Sequence, residues 1–161
     1  MRNKFLPIIL LLALFMVVSG CGQPKASSKD FTAPKQKEKT TLSASEVLAG
    51  LKAAKLPIGQ STEYTAETDT NNLLGRPGQY IGKINFEDTR IEEDNADLND
   101  SIEVFSNTND LNSRANYIKA VTKDTPMLLQ YSYTHKNVLL RLDTALTPDQ
   151  AAEYEKALKS L

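Results

Sequence analysis

Two stretches near the end of the chain, Met127 to Thr134 and Asn137 to Asp143, place apolar and polar residues alternately, and only His135 and Lys136 separate them. Successive side chains of a β-strand point to opposite faces, so this alternation predicts two strands, each with one buried face. A two-residue link makes them an antiparallel hairpin. Leu129, Tyr131 and Tyr133 are expected on the inner face of the first strand, and Val138, Leu140 and Leu142 on that of the second. A hairpin is marginal by itself in water, so the rest of the chain has to extend and cover it.

Tyr80 to Asp88 alternates in the same way, with Tyr80, Ile84 and Phe86 toward one side and Lys83, Asn85 and Glu87 toward the other. Ser101 to Ser106 holds Ile102, Val104 and Phe105 and predicts a shorter strand. Residues 58–79 are less regular; within them Ser61 to Glu67 is a candidate strand with Tyr64 inward. Helix signals are sharper. Ser43-Ala44-Ser45-Glu46 forms a capping box, with Leu42 and Val47 spaced for a hydrophobic staple. Val47, Leu48, Leu51 and Ala54 share one helical stripe, and Pro57 ends it. Asn107, with Asp110 three residues on, caps a second helix whose expected buried stripe is Leu111, Ala115, Ile118 and Val121. Thr147-Pro148-Asp149-Gln150 opens a third, with Thr147 as N-cap, Pro148 at the first helical position and Gln150 completing the box. Ala151, Tyr154, Leu158 and Leu161 line its apolar side. The order α-β-β-α-β-β-α predicts an α+β fold: a small antiparallel sheet of about four strands, with about three helices packed on one face of it.

The N-terminal end is of another kind. Arg2 and Lys4 precede an apolar run of fourteen residues, Phe5 to Val18, interrupted only by Pro7. A bilayer-spanning helix needs about 20 apolar residues, so the run is short for a permanent span. It ends in Val18-Ser19-Gly20-Cys21, where two small residues let a peptidase approach the backbone. These four residues resemble the lipobox of bacterial lipoproteins. The resemblance implies diacylglyceryl transfer to the Cys21 thiol and cleavage before Cys21. It also implies a place on the outer face of the cytoplasmic membrane of a Gram-positive cell, anchored by palmitate-like acyl chains. Two such chains hold a protein stably where one is marginal. A plain secretory signal with an incidental Cys, or an uncleaved anchor, is the alternative.

Gly22 to Thr41 is rich in Lys, Ser, Thr, Gln and Pro, with Phe31 its only large apolar residue, and cannot bury enough surface to fold. Residues 1–20 thus read as a signal peptide, 21–41 as the lipidated Cys and a disordered tether, and 42–161 as one domain. Twenty flexible residues hold that domain on the order of 25 Å from the anchor. Charge divides at the same place: residues 22–41 carry a net charge of +3, and residues 42–161 hold twelve Lys or Arg against eighteen Asp or Glu. A basic tether beside an acidic domain suits an anionic membrane surface. The acidic domain argues against nucleic acid, whose binding rests on neutralising phosphates.

Little in the domain reads as reaction chemistry. Cys21 is the single cysteine, so an intramolecular disulfide and a four-cysteine zinc site are excluded. His135, the single histidine, falls in the hairpin link and reads as a solvated turn residue rather than a catalytic base. Glu92, Glu93, Asp94, Asp97 and Asp100 make an acidic loop. As an EF-hand starting at Asp94 it has Ala96 at position 3; starting at Asp97 it has Ile102 where Gly is needed and Thr108 where Glu is needed. A solvated loop is the reading, with a looser calcium site as the alternative. Glu87, Asp88, Glu92 and Glu93 are the carboxylates a glycosidase-like pair would draw on. No cofactor and no metal is expected.

The binding surface expected from the sequence runs from Asn71 to Arg90. Gly75-Arg76-Pro77-Gly78 predicts an ordered turn, and such loops on a rigid scaffold often carry binding groups. It lacks the Gly-Lys-Ser/Thr ending of a phosphate loop. Arg76, Tyr80, Asp88 and Arg90 are its expected contact residues, with the alternative that Arg76 pairs with a carboxylate and Tyr80 is core. Asn72-Leu73-Leu74-Gly75-Arg76-Pro77, Ser101-Ile102-Glu103-Val104-Phe105, Arg114-Ala115-Asn116-Tyr117-Ile118 and Leu139-Leu140-Arg141-Leu142 with Leu146 to Ala151 resemble a group of small secreted or lipoprotein domains of Gram-positive bacteria. That resemblance spans about residues 45–160 and carries over no site residues. The expectation is a non-enzymatic, membrane-anchored binding module whose partner is an envelope protein, a wall polymer or a small ligand. The alternatives are an exclusion or immunity lipoprotein that blocks entry of phage or conjugative DNA, and a hydrolase of envelope polymers.

Overall fold

The first helix, α1 (Ala44–Ala53), starts where its capping box places it. Glu46 N donates to Ser43 Oγ at 3.2 Å, and Ser43 N donates to Glu46 Oε2 at 2.8 Å. The computed structural model describes residues 41–91 and 100–161, all within one compact unit. The expected signal peptide, Cys21, nearly all of the expected tether, and the acidic residues Glu92, Glu93, Asp94 and Asp97 lie outside the described residues.

After α1 come β1 (Ile58–Glu63), β2 (Gly82–Asp88), β3 (Asp100–Val104), α2 (Thr108–Thr122), a 3-10 turn (Pro126–Leu128), β4 (Gln130–His135), β5 (Val138–Asp143) and α3 (Pro148–Lys159). The strands form one sheet in the order β1-β2-β3-β5-β4, antiparallel throughout. The fold is α+β. It has five strands where about four were expected, because Ile58–Glu63 pairs with β2, Ser61 lying opposite Phe86 and Glu63 opposite Ile84. This strand overlaps the candidate strand Ser61 to Glu67 only at Ser61–Glu63 and starts three residues earlier; being short, mostly exposed and shifted in register between Ile58 and Ser61, it leaves little pattern in the sequence. Tyr64 lies just beyond it.

Strand parity separates two apolar clusters. Ile84 and Phe86 of β2, Ile102 and Val104 of β3, and Val138, Leu140 and Leu142 of β5 meet α1 and α3 through Val47, Leu51, Tyr154 and Leu158. Phe105 and Leu139 point the other way, where Tyr80 and Leu111 of α2 complete a smaller cluster. The expectation that all helices share one face is therefore corrected: α1 and α3 cover one side, and α2 covers part of the other. The reason lies in the connection. The chain leaves β3, returns to β4 at the far edge and must cross the sheet, and the free side is the one α1 and α3 leave open.

Details of the hairpin also differ. Pro126 holds Met127 and Leu128 in a 3-10 turn, so β4 begins at Gln130 rather than at Met127. His135 is the last residue of β4, opposite Val138, and the turn is Lys136-Asn137 with Lys136 at φ 52°. This turn ties down both ends of the domain. Asn137 Oδ1 accepts from Leu42 N at 2.8 Å and its Nδ2 donates to Leu42 O at 2.9 Å and Phe105 O at 3.1 Å. Lys136 Nζ donates to Leu161 O at 2.8 Å.

Candidate functional site

The face beneath α2 carries charge in its interior. β2 contributes Lys83, β3 contributes Glu103 and β5 contributes Arg141, all at positions whose neighbours along the strand fill the opposite, apolar side. The irregular segment before β2 supplies Asp69. Its carboxylate accepts from Leu73 N at 2.9 Å, Leu74 N at 3.1 Å, Tyr80 Oη at 2.6 Å and Lys83 Nζ at 3.0 Å. Burial would raise the Asp69 carboxyl, but these donors outweigh it and hold the group well below the usual carboxylate range. The arrangement fixes the Asn71–Tyr80 loop; Gly75 and Gly78 take φ 78° and 74°, which residues with a Cβ rarely adopt.

Glu103 is fully buried and faces two guanidiniums. Arg114 Nε and Nη2 donate to its two oxygens at 3.0 and 3.1 Å, and Arg141 Nη2 donates to Oε1 at 3.2 Å. Arg141 also donates from Nε to Ser101 Oγ at 3.1 Å and from Nη1 to Gln130 Oε1 at 3.0 Å. Burial lowers the Arg141 pKa; Glu103 opposes the shift and Arg114 adds to it. For Arg114 burial also works against the charge, but the hydrogen bonds to Glu103 win and raise it. A buried ion pair needs close charge balance to offset its desolvation; here two cations share one anion.

These arginines line a groove of about 380 Å³ between the C-terminal half of α2, the 3-10 turn and the adjoining ends of β4 and β5. Its outer rim carries exposed apolar side chains, while Thr122, Gln130, Asp143 and Thr144 add polar groups to the lining. Tyr117 is 61% exposed, Val121 45%, Met127 94%, Leu128 53% and Leu129 48%. The second helix thus runs past the core: Leu111 is buried, Ala115 and Ile118 are partly covered, and Val121, expected inside, overhangs. Leu129, also expected inside, precedes the strand and lines the groove. Asp143 sits in the same lining, with its Oδ1 accepting from Ala145 N at 2.8 Å. On the other flank of α2, Arg114 and Tyr117 also line a second groove of about 540 Å³, whose far wall is Asn71, Leu73, Gly78 and Gln79.

The four contact residues expected from the sequence do not share a surface. Arg76 is exposed in the turn. Tyr80 is fully buried under α2, 6.4 Å from the Phe105 ring and edge-on to it. Asp88 is buried on the opposite side of the sheet. Arg90 Nη2 donates to Asp88 Oδ2 at 2.6 Å and its Nη1 to Glu153 Oε2 at 2.8 Å, so it tethers the end of β2 to α3. Tyr80 and Asp88 lie inside because a hydrogen-bonded aromatic and a paired carboxylate satisfy their polar atoms there. What that stretch does contribute is the wall of the second groove. Of the residues at the centre of the site, Glu103 and Arg141 look from the sequence like an ordinary solvated strand face and Arg114 like a solvated helix position.

Of the carboxylates expected for a glycosidase-like pair, Glu92 and Glu93 lie outside the described residues. Glu87 and Asp88 are adjacent on β2 and point to opposite faces, so they cannot converge on one bond. Asp88 and Asp100 lie on one face with displaced pKa values. Burial pushes Asp100 up to about 7, helped by Asp88 and Asp143; Arg90 and Tyr154 hold Asp88 low against burial. Such a pair resembles an acid and a base, but both are buried and neither lines the grooves described above. His135 Nε2 is buried without a hydrogen-bond partner among the described residues. Among the described residues no group of three His, Cys, Asp or Glu is placed to hold a metal ion, and no helix is long and apolar enough to cross a membrane. Comparison of the chain with protein-family models, curated proteins and solved structures finds no match. The chemistry of the site therefore rests on its own residues.

Proposed function

We propose that this chain is a non-enzymatic binding module, held on the outer face of the bacterial cytoplasmic membrane through lipid on Cys21, with the groove beside α2 as its binding face. The observation that carries the binding reading is the cluster of exposed Tyr117, Val121, Met127, Leu128 and Leu129 above two arginines that share one carboxylate. Single exposed apolar residues are ordinary; a contiguous set around a concave, partly charged floor is how binding sites are built. The anchor reading is supported by the apolar run, the small residues before Cys21 and the basic stretch that follows.

Two measurements test the parts separately. Cys21→Ser should leave the chain unprocessed or free of the membrane, and labelled fatty acid still entering that variant would sink the anchor. A photoreactive amino acid placed at position 117 or 128 of the full chain in cells should yield an adduct that the same residue at position 155, on α3, does not. Equal labelling at all three positions would overturn the groove as the binding face.

A further inference from the structure

We propose that β4 pairs edge to edge with β4 of a second copy of this chain, joining two domains into one continuous antiparallel sheet. The backbone prepares the contact. Phe105 N donates to Asn137 O at 2.9 Å, so Asn137, Leu139 and Arg141 bond toward β3. Backbone bonds alternate in direction along a strand, so Val138, Leu140 and Leu142 bond toward β4. Their opposite residues there are His135, Tyr133 and Tyr131. The N–H and C=O groups of Ser132 and Thr134 therefore point out of the sheet, where no hydrogen-bond partner meets them among the described residues. The side chains of both are exposed as well.

Proteins usually guard an open edge with a charge, a proline or a bulge, because its unpaired backbone is a template for another strand. The opposite edge of this sheet is guarded: β1 shifts register between Ile58 and Ser61 and carries Glu63. β4 is not. It keeps an unbroken register with β5 from Gln130 to His135, and its residues, Gln-Tyr-Ser-Tyr-Thr-His, include no Pro, Gly, Lys, Arg or acid. Tyr and Thr favour the strand conformation. Self-complementarity selects a second copy as the occupant. In the two-fold register that bonds the outward groups to each other, Ser132 lies opposite the partner's Thr134, and Thr134 opposite the partner's Ser132, each pair exchanging both backbone bonds. Tyr133 then meets the partner's Tyr133, and Tyr131 meets the partner's His135. Hydroxyl pairs and aromatic pairs are favourable neighbours across strands, and like charges directly opposite are not. Further out, Gln130 faces the partner's Lys136, so no like charges meet in this register. The two-fold axis stands perpendicular to the sheet, and each copy presents the same patch to the other. Both copies thus turn α2 and its groove to the same side of the joined sheet.

The test measures mass and disulfide formation on the full chain. Light scattering of the purified protein over a concentration series should approach twice the mass of one chain. Ser132→Lys with Thr134→Lys sets like charges opposite each other on side chains that are exposed in the single domain. The melting curve should therefore stay close to that of the parent, while the dimer weakens about tenfold. Mixing this variant with one carrying Ser132→Glu and Thr134→Glu should restore the dimer. With Cys21→Ser removing the native thiol, a mixture of Ser132→Cys and Thr134→Cys chains should form a disulfide under mild oxidation, and either variant alone should form far less. A mass of one chain at every concentration would overturn the dimer. A dimer unaffected by the paired lysines would place the contact away from β4. Equal crosslinking by Ser132→Cys alone would overturn the register. Ser132→Cys linked in cells to a protein of another mass, with the purified chain monomeric, would overturn the second copy as the occupant of this edge.

Discussion

On the side of the sheet covered by α1 and α3, Phe86 meets Tyr154 with ring centres 5.9 Å apart, and Leu140, Ile102 and Leu51 are fully buried around them. On the side of α2, the same three central strands bury Lys83 and Glu103 and partly bury Arg141. The first side gains stability from each apolar residue it encloses, about 1.5–3 kcal/mol for a large side chain. The second spends part of that gain on desolvating charge, and leaves the end of its covering helix unburied. A fold needs one dry face. A second face that is charged and half covered is free to be shaped by what it binds.

Phe86→Ala should have the largest effect, lowering stability by about 3–5 kcal/mol through the cavity it leaves. A loss below about 1 kcal/mol in chemical denaturation would mean that the dry face does not carry the fold. Asp69→Ala comes next, at about 3 kcal/mol, because Lys83 is left charged and buried. Adding Lys83→Met should recover most of that loss, and a double-mutant cycle showing no coupling would remove the pair from the account.

Asp100 sharpens the comparison from the other side, as a carboxyl at the margin of the dry face. Its folded pKa of about 7 stands above the ordinary value of 3.8. Between those two pH values the folded state holds more protons than the unfolded one, so this group's contribution to stability declines as pH rises from about 4 to about 7. Asp100→Asn keeps an acceptor for Asp143 N and carries no charge. It should be the more stable protein at pH 8 by about 2 kcal/mol, with the advantage vanishing near pH 4. Melting curves with the same difference at both pH values would exclude Asp100 as the titrating group. The smallest effect belongs to the groove: Val121→Ser should change stability by no more than about 0.5 kcal/mol. A loss several times larger would show that its exposed position is covered in solution.

The dry face was legible because most of its residues follow strand and helix periods; the exception is Tyr80, expected beside Ile84 and Phe86, which precedes β2 and packs on the other side. Both capping boxes, the caps of α2 and α3 and the inward positions of Ile84, Phe86, Leu140 and Leu142 all stand where the sequence reading puts them. The other face was not. Glu103 between Ile102 and Val104, and Arg141 between Leu140 and Leu142, have the pattern of a strand with one solvated side. Glu103 is interior where Arg114 of α2 pairs with it, and no local spacing records that contact. The stripe from Leu111 to Val121 was a partial signal, since a helix with its own apolar side needs a surface to lie on.

Asn137 and Lys136 hold Leu42 and Leu161 to one turn, so the first and last described parts of the domain are attached to the same point of the sheet. A pull delivered through residue 42 would not simply peel α1 away from its end. It would load the Asn137 amide first, and through it β5 and the Phe105 carbonyl beyond β3. Those two strands are central and paired on both sides. A pull at residue 42 would thus be borne by central strands paired on both sides.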